Sequence, residues 1–562
     1  MFRYIARSVS GTRYSFYVTA SKRVTDQEIC KRNWSYRRHI NKKTVIDNRI
    51  YRIFDSISVQ NRLTVFKEAT DRFYSKDMSV KEYKGISGGM GSYAQRGAEK
   101  GMVRLRLAGG RISKTKLDFI CQCIEKYRPE MVHLTTCQSV QLHGLGPEAI
   151  KDIVSEAPSV GIHTFGGGGD FPRNITATPL SGLISASRAD VMPYAALAEE
   201  YLMSLAEKIK LPRKLKVGFS STLENITDAT ARDLGFVARE DSLFDVYSGG
   251  GLGNNPKLGL LIAEAVSPEN IPAYLDAMFH MFAEHGNFEN RSKARVRYMR
   301  DELGDDGYVR MLREYTEKNL SDPAFPKHKA EPEKIMKHGD GSVPRSERAR
   351  PQIQDGLFYV TYHPIYGDPA SEKILEVRDA IRDIENAEVR ISPNETMYIV
   401  NLTGSEADKI AEITSDGSRT VFEASVSCVG ATICQIGLRD SPGLLEKLIE
   451  MERDEGFADR ILPMIRISGC SNSCAAHQVG TMALCGAPSI DGQDAFSVFV
   501  NGSHILGKER LGEKIGNVKV SDLPKMFRVI GRTVTGSGTG SFLEWYRQDP
   551  EKLLKVCRPF LH

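Results

Sequence analysis

Four cysteines carry the first chemical signal in this sequence. Cys428 and Cys434 are separated by five residues, Cys470 and Cys474 by three, and 35 residues lie between the pairs. They sit in SCVGATICQIG and ISGCSNSCAAHQVG. Four thiolates are the usual complement of one 4Fe–4S cluster. Structural zinc also takes four cysteines, but it favours tighter knuckles in both halves of the site, and the first pair here is too wide for that. Spacing alone therefore favours an iron–sulfur centre and leaves zinc or chance pairing open. The second pair follows an apolar strand, ILPMIRIS, and Ser471, Asn472 or Ser473 could cap a helix beginning at Cys474. Such a helix would hold both thiolates near its N-terminus, where unpaired N–H groups stabilise negative charge.

Cations form the second signal. Arg104 and Arg106 in VRLRL lie two apart, so a strand puts them on one face, and Lys214 and Lys216 in LPRKLKVGF repeat the pattern. Like charges side by side on a strand repel unless the face meets water or an anion. Each pair alone reads as solvated surface, but both lie in otherwise apolar strands. Arg173 follows the glycine run 166–169. Together these imply a polyanionic ligand. The segment HLTTCQSVQLHG reads as a strand whose polar face carries His133, Thr135, Cys137, Ser139, Gln141 and His143. The glycines at 166–169, and Gly249, Gly250 and Gly251 in SGGGLG, could hold carboxylate or phosphate groups on backbone N–H groups. Neither run fits a nucleotide-binding fingerprint.

These residues need elements to position them, and the chain supplies two similar sets. GMVRLRLAGGRIS, KTKLDFICQCIEKY, EMVHLTTCQSVQLHGL and GPEAIKDIVSEA read as strand, helix, strand, helix. GLFYVTYHP, SEKILEVRDAIRDI, NAEVRISPNETMYIVNL and SEADKIAEIT repeat that order roughly 255 residues later. LPRKLKVGFSS corresponds to ILPMIRISGCSNS, and FDVYSGGGLGN to AFSVFVNGSHILG. The expected outcome is a duplicated α+β protein with pseudo-twofold symmetry and a site between its halves. The charged, proline-containing stretch 323–351 reads as the linker between them.

Composition sets the outer bounds. A chain of 562 residues, 41% hydrophobic and 26% charged, is globular and long enough for several domains. No apolar run approaches the length of a membrane span. A net charge of +5 gives no reason to expect nucleic acid. Ten cysteines with four clustered late fit a reducing compartment, hence the cytoplasm. Residues 1–24 contain Arg3, Arg7, Arg13, Lys22 and Arg23 and no acid. If residues 1–45 are a transit peptide the protein is organellar; a disordered basic leader or an upstream start codon is the reading favoured over it.

Taken together, YAQR (93–96), VRLRLAGG (103–110), HLTTCQSVQLHG (133–144), PRNITATP (172–179), LPRKLK (211–216), SGGGLG (248–253), the first cysteine pair and GCSNSC resemble the sirohaem-containing sulfite and nitrite reductases. The resemblance spans roughly residues 80–540. It implies a sirohaem coupled to a 4Fe–4S cluster, with Cys428, Cys434, Cys470 and Cys474 as cluster ligands and Cys474 shared with the sirohaem iron. It places the anion-binding cations on Arg104, Arg173, Lys214 and Lys216. Thr135, Cys137, Gln141, His143 and Gly249–Gly251 fall where the family contacts the macrocycle.

Six domains follow: a leader over 1–77, ferredoxin-like half-domains over 78–160 and 352–418, cofactor-binding α/β domains over 161–322 and 419–562, and the linker. The implied activity is six-electron reduction of sulfite to sulfide, with electrons from a separate ferredoxin or flavoprotein subunit. An ammonia-forming nitrite reductase is the alternative, and an iron–sulfur scaffold without sirohaem a distant one. Lys216, where plant-type nitrite reductases carry Asn, leans toward sulfite. One position departs from the pattern: Cys137 stands where the family carries Arg, a partner of a sirohaem carboxylate.

Overall fold

The computed structural model describes residues 2–7, 13–18 and 48–562. Met1–Leu63 forms one unit, in which Phe2–Arg7 pairs antiparallel with Arg13–Val18; Thr64–His562 forms the other. The expected leader over 1–45 lies mostly outside the described residues. No helix among the described residues is long and apolar enough to cross a membrane.

The duplication is exact in its strand order. One sheet runs Ser92–Ala94, Gly101–Leu105, Val140–Leu145, Met131–Leu134, every pair antiparallel. A second runs Ala349–Pro351, Phe358–Tyr362, Met397–Leu402, Glu388–Ile391, again all antiparallel. A third holds Thr176–Ala177, Val217–Ser220 and Leu234–Ala238 in parallel, then Phe244–Ser248 and Leu260–Val266 antiparallel. The fourth repeats that order with Val426–Ser427, Ile465–Ser468, Met482–Ile490, Gln493–Val500 and Glu513–Lys519. The fold is α+β, internally duplicated and pseudo-twofold.

The helices obey their sequence periods. Lys114–Tyr127 buries Leu117, Ile120, Cys121 and Ile124, and stops where Arg128 turns left-handed. Cys121 and Cys123 are both buried, and burial pushes each thiol up to about 12, so they are inert packing groups. The halves are also cross-linked. Arg111–Ile112 from the first half adds a fifth strand to the second half's sheet, beside Glu388–Ile391. In return Asp368 Oδ1 sits 2.6 Å from His133 Nδ1.

Three expectations need correcting. HLTTCQSVQLHG is not one strand but a hairpin, turning at Thr135–Ser139 with Gln138 at φ 55°. The turn wins because the Gln138 side chain replaces strand pairing: Nε2 donates to Gly109 O and Ile391 O, and Oε1 accepts from Ala177 N, all within 2.9 Å. No α-helix begins at Cys474. Ser473 and Ala476 take left-handed backbone, and only the short 3-10 turn His477–Val479 follows. Finally, 323–351 is not a free tether. Lys337 is buried and donates to Asn401 O and to Glu406, while Glu333 pairs with Arg111.

The Gln138 turn has a counterpart 257 residues on, where Glu395 sits at φ 63°. It accepts from Ser427 N as Gln138 does from Ala177 N, but its Oε2 is buried without a partner. Burial and then Asp368 hold its carboxyl well above the usual range, which favours the neutral form at a position that an amide fills in the other half. A carboxyl whose pKa is raised by folding contributes stability below its ordinary value, and that contribution is lost as pH rises toward the folded value. Glu395→Gln is therefore expected to gain stability relative to the parent protein as pH rises above the ordinary carboxylate range, by up to about 1.4 kcal/mol per pH unit. Urea midpoints of both proteins across that rise test this; a difference independent of pH would reject the protonated carboxyl.

Candidate functional site

The site is assembled from loops at the ends of the two sets of parallel strands, together with the hairpin turn. The turn is fixed first. Asn174 Nδ2 donates to Leu107 O, Cys137 O and Gln138 O, which pins the backbone of residue 137. Thr136 Oγ1 donates to Cys474 O at 2.6 Å, tying the turn to the second cysteine pair. Thr136, rather than Thr135, lines the cleft; the Thr135 hydroxyl is spent accepting from Ser139 N.

The cleft wall carries Lys214, Lys216, Arg232, Arg295 and Arg466, facing Cys474. Lys216 N is held by Asp233 Oδ2 at 2.7 Å. Among the described residues, neither the Lys214 nor the Lys216 ammonium has a carboxylate within 4.0 Å, whereas Arg295 pairs with Asp233 at 2.9 Å. Burial, then Arg295, Lys216 and Arg173, hold the Lys214 ammonium well below its ordinary value. Cys137 supports the charge on Lys216, but burial, Arg232 and Arg295 outweigh it and lower that group too. Burial alone would raise the Cys137 thiol. Lys216, Arg232, Arg104 and Lys214 overcome this and bring it down to about 6. Cys137 thus lies in the same positive field as the lysines.

Arg104 and Arg173 meet at the glycine loop. Arg104 Nη1 donates to Gly167 O at 2.5 Å, and Arg173 donates to Gly166 O and Gly169 O. Burial, with Arg104 and Arg106 nearby, holds the Arg173 guanidinium down to about 10 despite Tyr93. The loop needs glycine for clearance: a Cβ at Gly168 would stand 2.2 Å from Tyr93 Oη. Behind Arg104 is a buried layer. Gln141 Oε1 accepts from Arg104 Nη2 and Nε at 2.6 and 2.9 Å, and its Nε2 donates to His143 Nε2 at 2.8 Å. Burial, then His133 and Arg104, push His143 down to about 3, so it is neutral. Gln141 and His143 therefore position Arg104 from behind.

Arg106 does not join its neighbour. It is buried against Glu199, with Nε–Oε1 at 2.6 Å, and donates to Pro172 O and Arg173 O. The glycines do not cradle an anion either. Gly249, Gly250 and Gly251 donate their N–H groups to Asp233 O, Arg232 O and Lys257 O. Gly251 instead leaves room for Arg295 and Arg297, whose nitrogens lie 3.5 and 3.0 Å from where its Cβ would be.

The four candidate cluster cysteines are free thiols. Gly469 N donates to Cys428 Sγ at 3.2 Å, and Asn472 Nδ2 approaches Cys470 Sγ at 3.5 Å. Burial and the neighbouring Cys474 push Cys428 up to about 12. Among the described residues no three His, Cys, Asp or Glu side chains converge tightly enough for a single ion. Sequence reasoning missed Arg232, Arg295 and Arg466. A lone arginine inside the apolar strand ILPMIRIS was the available signal for the last of these.

Comparison with known proteins finds two family matches. Residues 168–320 match the family described as "Nitrite and sulphite reductase 4Fe-4S domain", and residues 93–158 the "Nitrite/Sulfite reductase ferredoxin-like half domain". Both matches lie in the first half; the four cysteines lie beyond them. The chain is 26% identical over 444 residues to sulfite reductase (ferredoxin) 2 of Mycolicibacterium paratuberculosis, covering 75% of this chain and 76% of that one. It is 25% identical over 449 residues to the ferredoxin–nitrite reductase of Synechococcus elongatus, covering 76% and 85%. The structure of the Mycobacterium tuberculosis NirA protein superposes with a TM-score of 0.69 at 21% identity, over 86% of this chain and 94% of that one, which supports a shared fold.

The division between Arg104 and Arg106 is open to measurement. Arg106→Met would leave the Glu199 carboxylate buried and unpaired, and should cost about 3–5 kcal/mol of unfolding free energy. Arg104→Met, at a half-buried position, should cost much less. Equal losses in urea denaturation would show that the two arginines share one role.

Proposed function

From the premise that the chain belongs to the sirohaem and 4Fe–4S nitrite and sulfite reductase family, we propose that it reduces sulfite to sulfide by six electrons delivered from a separate donor protein, a ferredoxin or a flavoprotein subunit. The observation that carries this reading is the pair of ammonium groups, Lys214 and Lys216, lining one cleft with Cys474 and, among the described residues, without a carboxylate within 4.0 Å.

The residues present fit the implied cofactors. Cys428, Cys434, Cys470 and Cys474 would hold the cluster, with Cys474 shared. The cations of the cleft would meet the carboxylates of a sirohaem, and the unpartnered Nε of Arg295 marks donor capacity that the protein itself leaves unused. When bound, the coupled cofactors supply electrons and an open iron position. The chain's own residues do the rest. Arg104, Arg173, Lys214 and Lys216 bind an oxyanion and polarise its S–O bonds. Each oxygen removed needs protons, and Lys214, with its ammonium held well below its usual value, is best disposed to release one. Gln141 fixes the Arg104 guanidinium, and neutral His143 fixes Gln141.

Sulfite is preferred over nitrite here because position 216 carries Lys. Reduction of nitrite to ammonia is the second reading, favoured by the likeness to a ferredoxin–nitrite reductase.

Anaerobic protein from a sirohaem-making host should show reduced-isobacteriochlorin absorption bands that shift on adding sulfite under reduction. A spectrum with only a broad iron–sulfur shoulder would reject the reading. Turnover of sulfite and nitrite with one artificial reductant should favour sulfite. Lys216→Asn should lower kcat/KM for sulfite relative to nitrite by roughly a hundredfold, the scale of losing one preorganised donor. An unchanged ratio would remove Lys216 as the determinant.

A further inference from the structure

The internal duplication allows each residue of the cleft to be compared with its counterpart in the other half. The parallel strands correspond with an offset of 248 residues, Val217–Ser220 to Ile465–Ser468. The hairpins correspond with an offset of 257, Met131–Leu134 to Glu388–Ile391. By these offsets Cys137 corresponds to Asn394, Thr227 to Ala475, Gly218 to Arg466 and Arg232 to Gly480.

The last two pairs are a reciprocal exchange. In the second half the guanidinium comes from Arg466, on the strand, and Gly480 makes room for it: a Cβ there would lie 3.4 Å from Arg466 Cδ. In the first half the strand position is Gly218, whose Cβ would lie 3.4 Å from Cγ of Arg232. The side chains enter from neighbouring segments but fill matching spaces. Their bonds agree. Arg466 Nη1 donates to Ala475 O at 3.3 Å, and Arg232 Nε donates to the corresponding carbonyl, Thr227 O, at 2.8 Å.

The far ends of the two guanidiniums differ. Arg466 Nη2 donates to Asn394 Oδ1 at 2.5 Å, so the hairpin turn of its own half satisfies it. The counterpart of Asn394 is Cys137, which offers no oxygen. Among the described residues, neither Arg232 Nη makes a hydrogen bond; its ion-pair partner is Asp228, with Oδ2 3.8 Å from Nη2, and Asp228 is itself shared with His504 Nδ1 at 3.1 Å. Arg232 is 7% exposed and lines the cleft. A buried guanidinium with free donors beside a cleft calls for an anionic ligand.

We infer that Arg232 is a cofactor-carboxylate ligand of this chain, supplying from the turn before Leu234–Ala238 the guanidinium that the family pattern places at position 137, and that the Cys137 side chain is small and oxygen-free so that those donors stay available. This rests on the proposed sirohaem site. It also accounts for the departure at position 137: the positive charge is relocated across the cleft rather than lost.

The experiment compares four full-length proteins purified from a sirohaem-making host: the parent, Arg232→Asn, Arg232→Lys, and the double variant Cys137→Arg with Arg232→Asn. The readouts are extractable tetrapyrrole per chain and, separately, non-haem iron and acid-labile sulfide. Arg232→Asn should carry about tenfold less tetrapyrrole or lower still, the scale of one lost charge-assisted contact, with iron and sulfide retained. Arg232→Lys should retain part of it. The double variant should regain most of it, because the guanidinium count is restored from the other wall. Arg232→Asn as replete as the parent would overturn the inference, as would a double variant no better than the single one. If Arg232→Asn does not fold, the double variant decides the question alone, against the parent. A parent protein without tetrapyrrole is a different result: it would overturn the proposed function.

Discussion

Uncompensated positive charge in a desolvated cleft is the constraint around which this protein is arranged. Removing a cation from water is costly unless a partner comes with it. Elsewhere the chain meets that requirement itself, Arg106 with Glu199 and Arg390 with Glu388, and within the cleft Arg295 has Asp233. At Lys214 and Lys216 it does not. The field that results is strong enough to bring Cys137 down to about 6. An interior with this surplus is built for an anion that arrives from outside, and the surrounding packing holds the cations where that anion will be.

Duplication explains how such a site arose on one axis without symmetrical chemistry. The turns after the two central strands match residue for residue, yet one carries Cys470 and Cys474 where the other carries Thr222 and Ile226. The strand entry reverses the bias: Lys214 and Lys216 correspond to Leu462 and Met464. On the proposed function, the half with the cysteines would deliver electrons and the half with the lysines would bind the anion. The backbone common to both was left in place, down to the left-handed residues at 138 and 395.

Much of this was legible in the sequence. Strand and helix order followed from periodicity, and the repeat followed from comparing the chain with itself. The candidate cations Arg104, Lys214 and Lys216 stood out because charges in apolar strands are hard to place otherwise, and Arg173 because it follows the glycine run. What was not legible depended on side chains replacing backbone. An alternating stretch reads as one strand until the Gln138 amide pairs with backbone across the turn. Gly249–Gly251 read as an anion cradle until their N–H groups are found donating to neighbouring carbonyls. Arg106 matches Arg104 in sequence and differs only because Glu199, 93 residues away, comes to meet it.

The strand Arg111–Ile112 bears on how the chain is made. It pairs with Glu388–Ile391, which leaves the ribosome about 280 residues later. Until then Arg111–Ile112 has no strand to pair with, and Gln138 lacks the Ile391 carbonyl. At typical elongation rates of about 5–20 residues per second, that interval is tens of seconds at the slower end. Without Arg111–Ile112, Glu388–Ile391 would in turn be an open edge, where foreign strands attach. The two halves are thus joined by more than a linker: the first half completes its partner's sheet and cannot reach its own final bonding without it. Separating them at 323–351 would yield two fragments, each with an unfinished border.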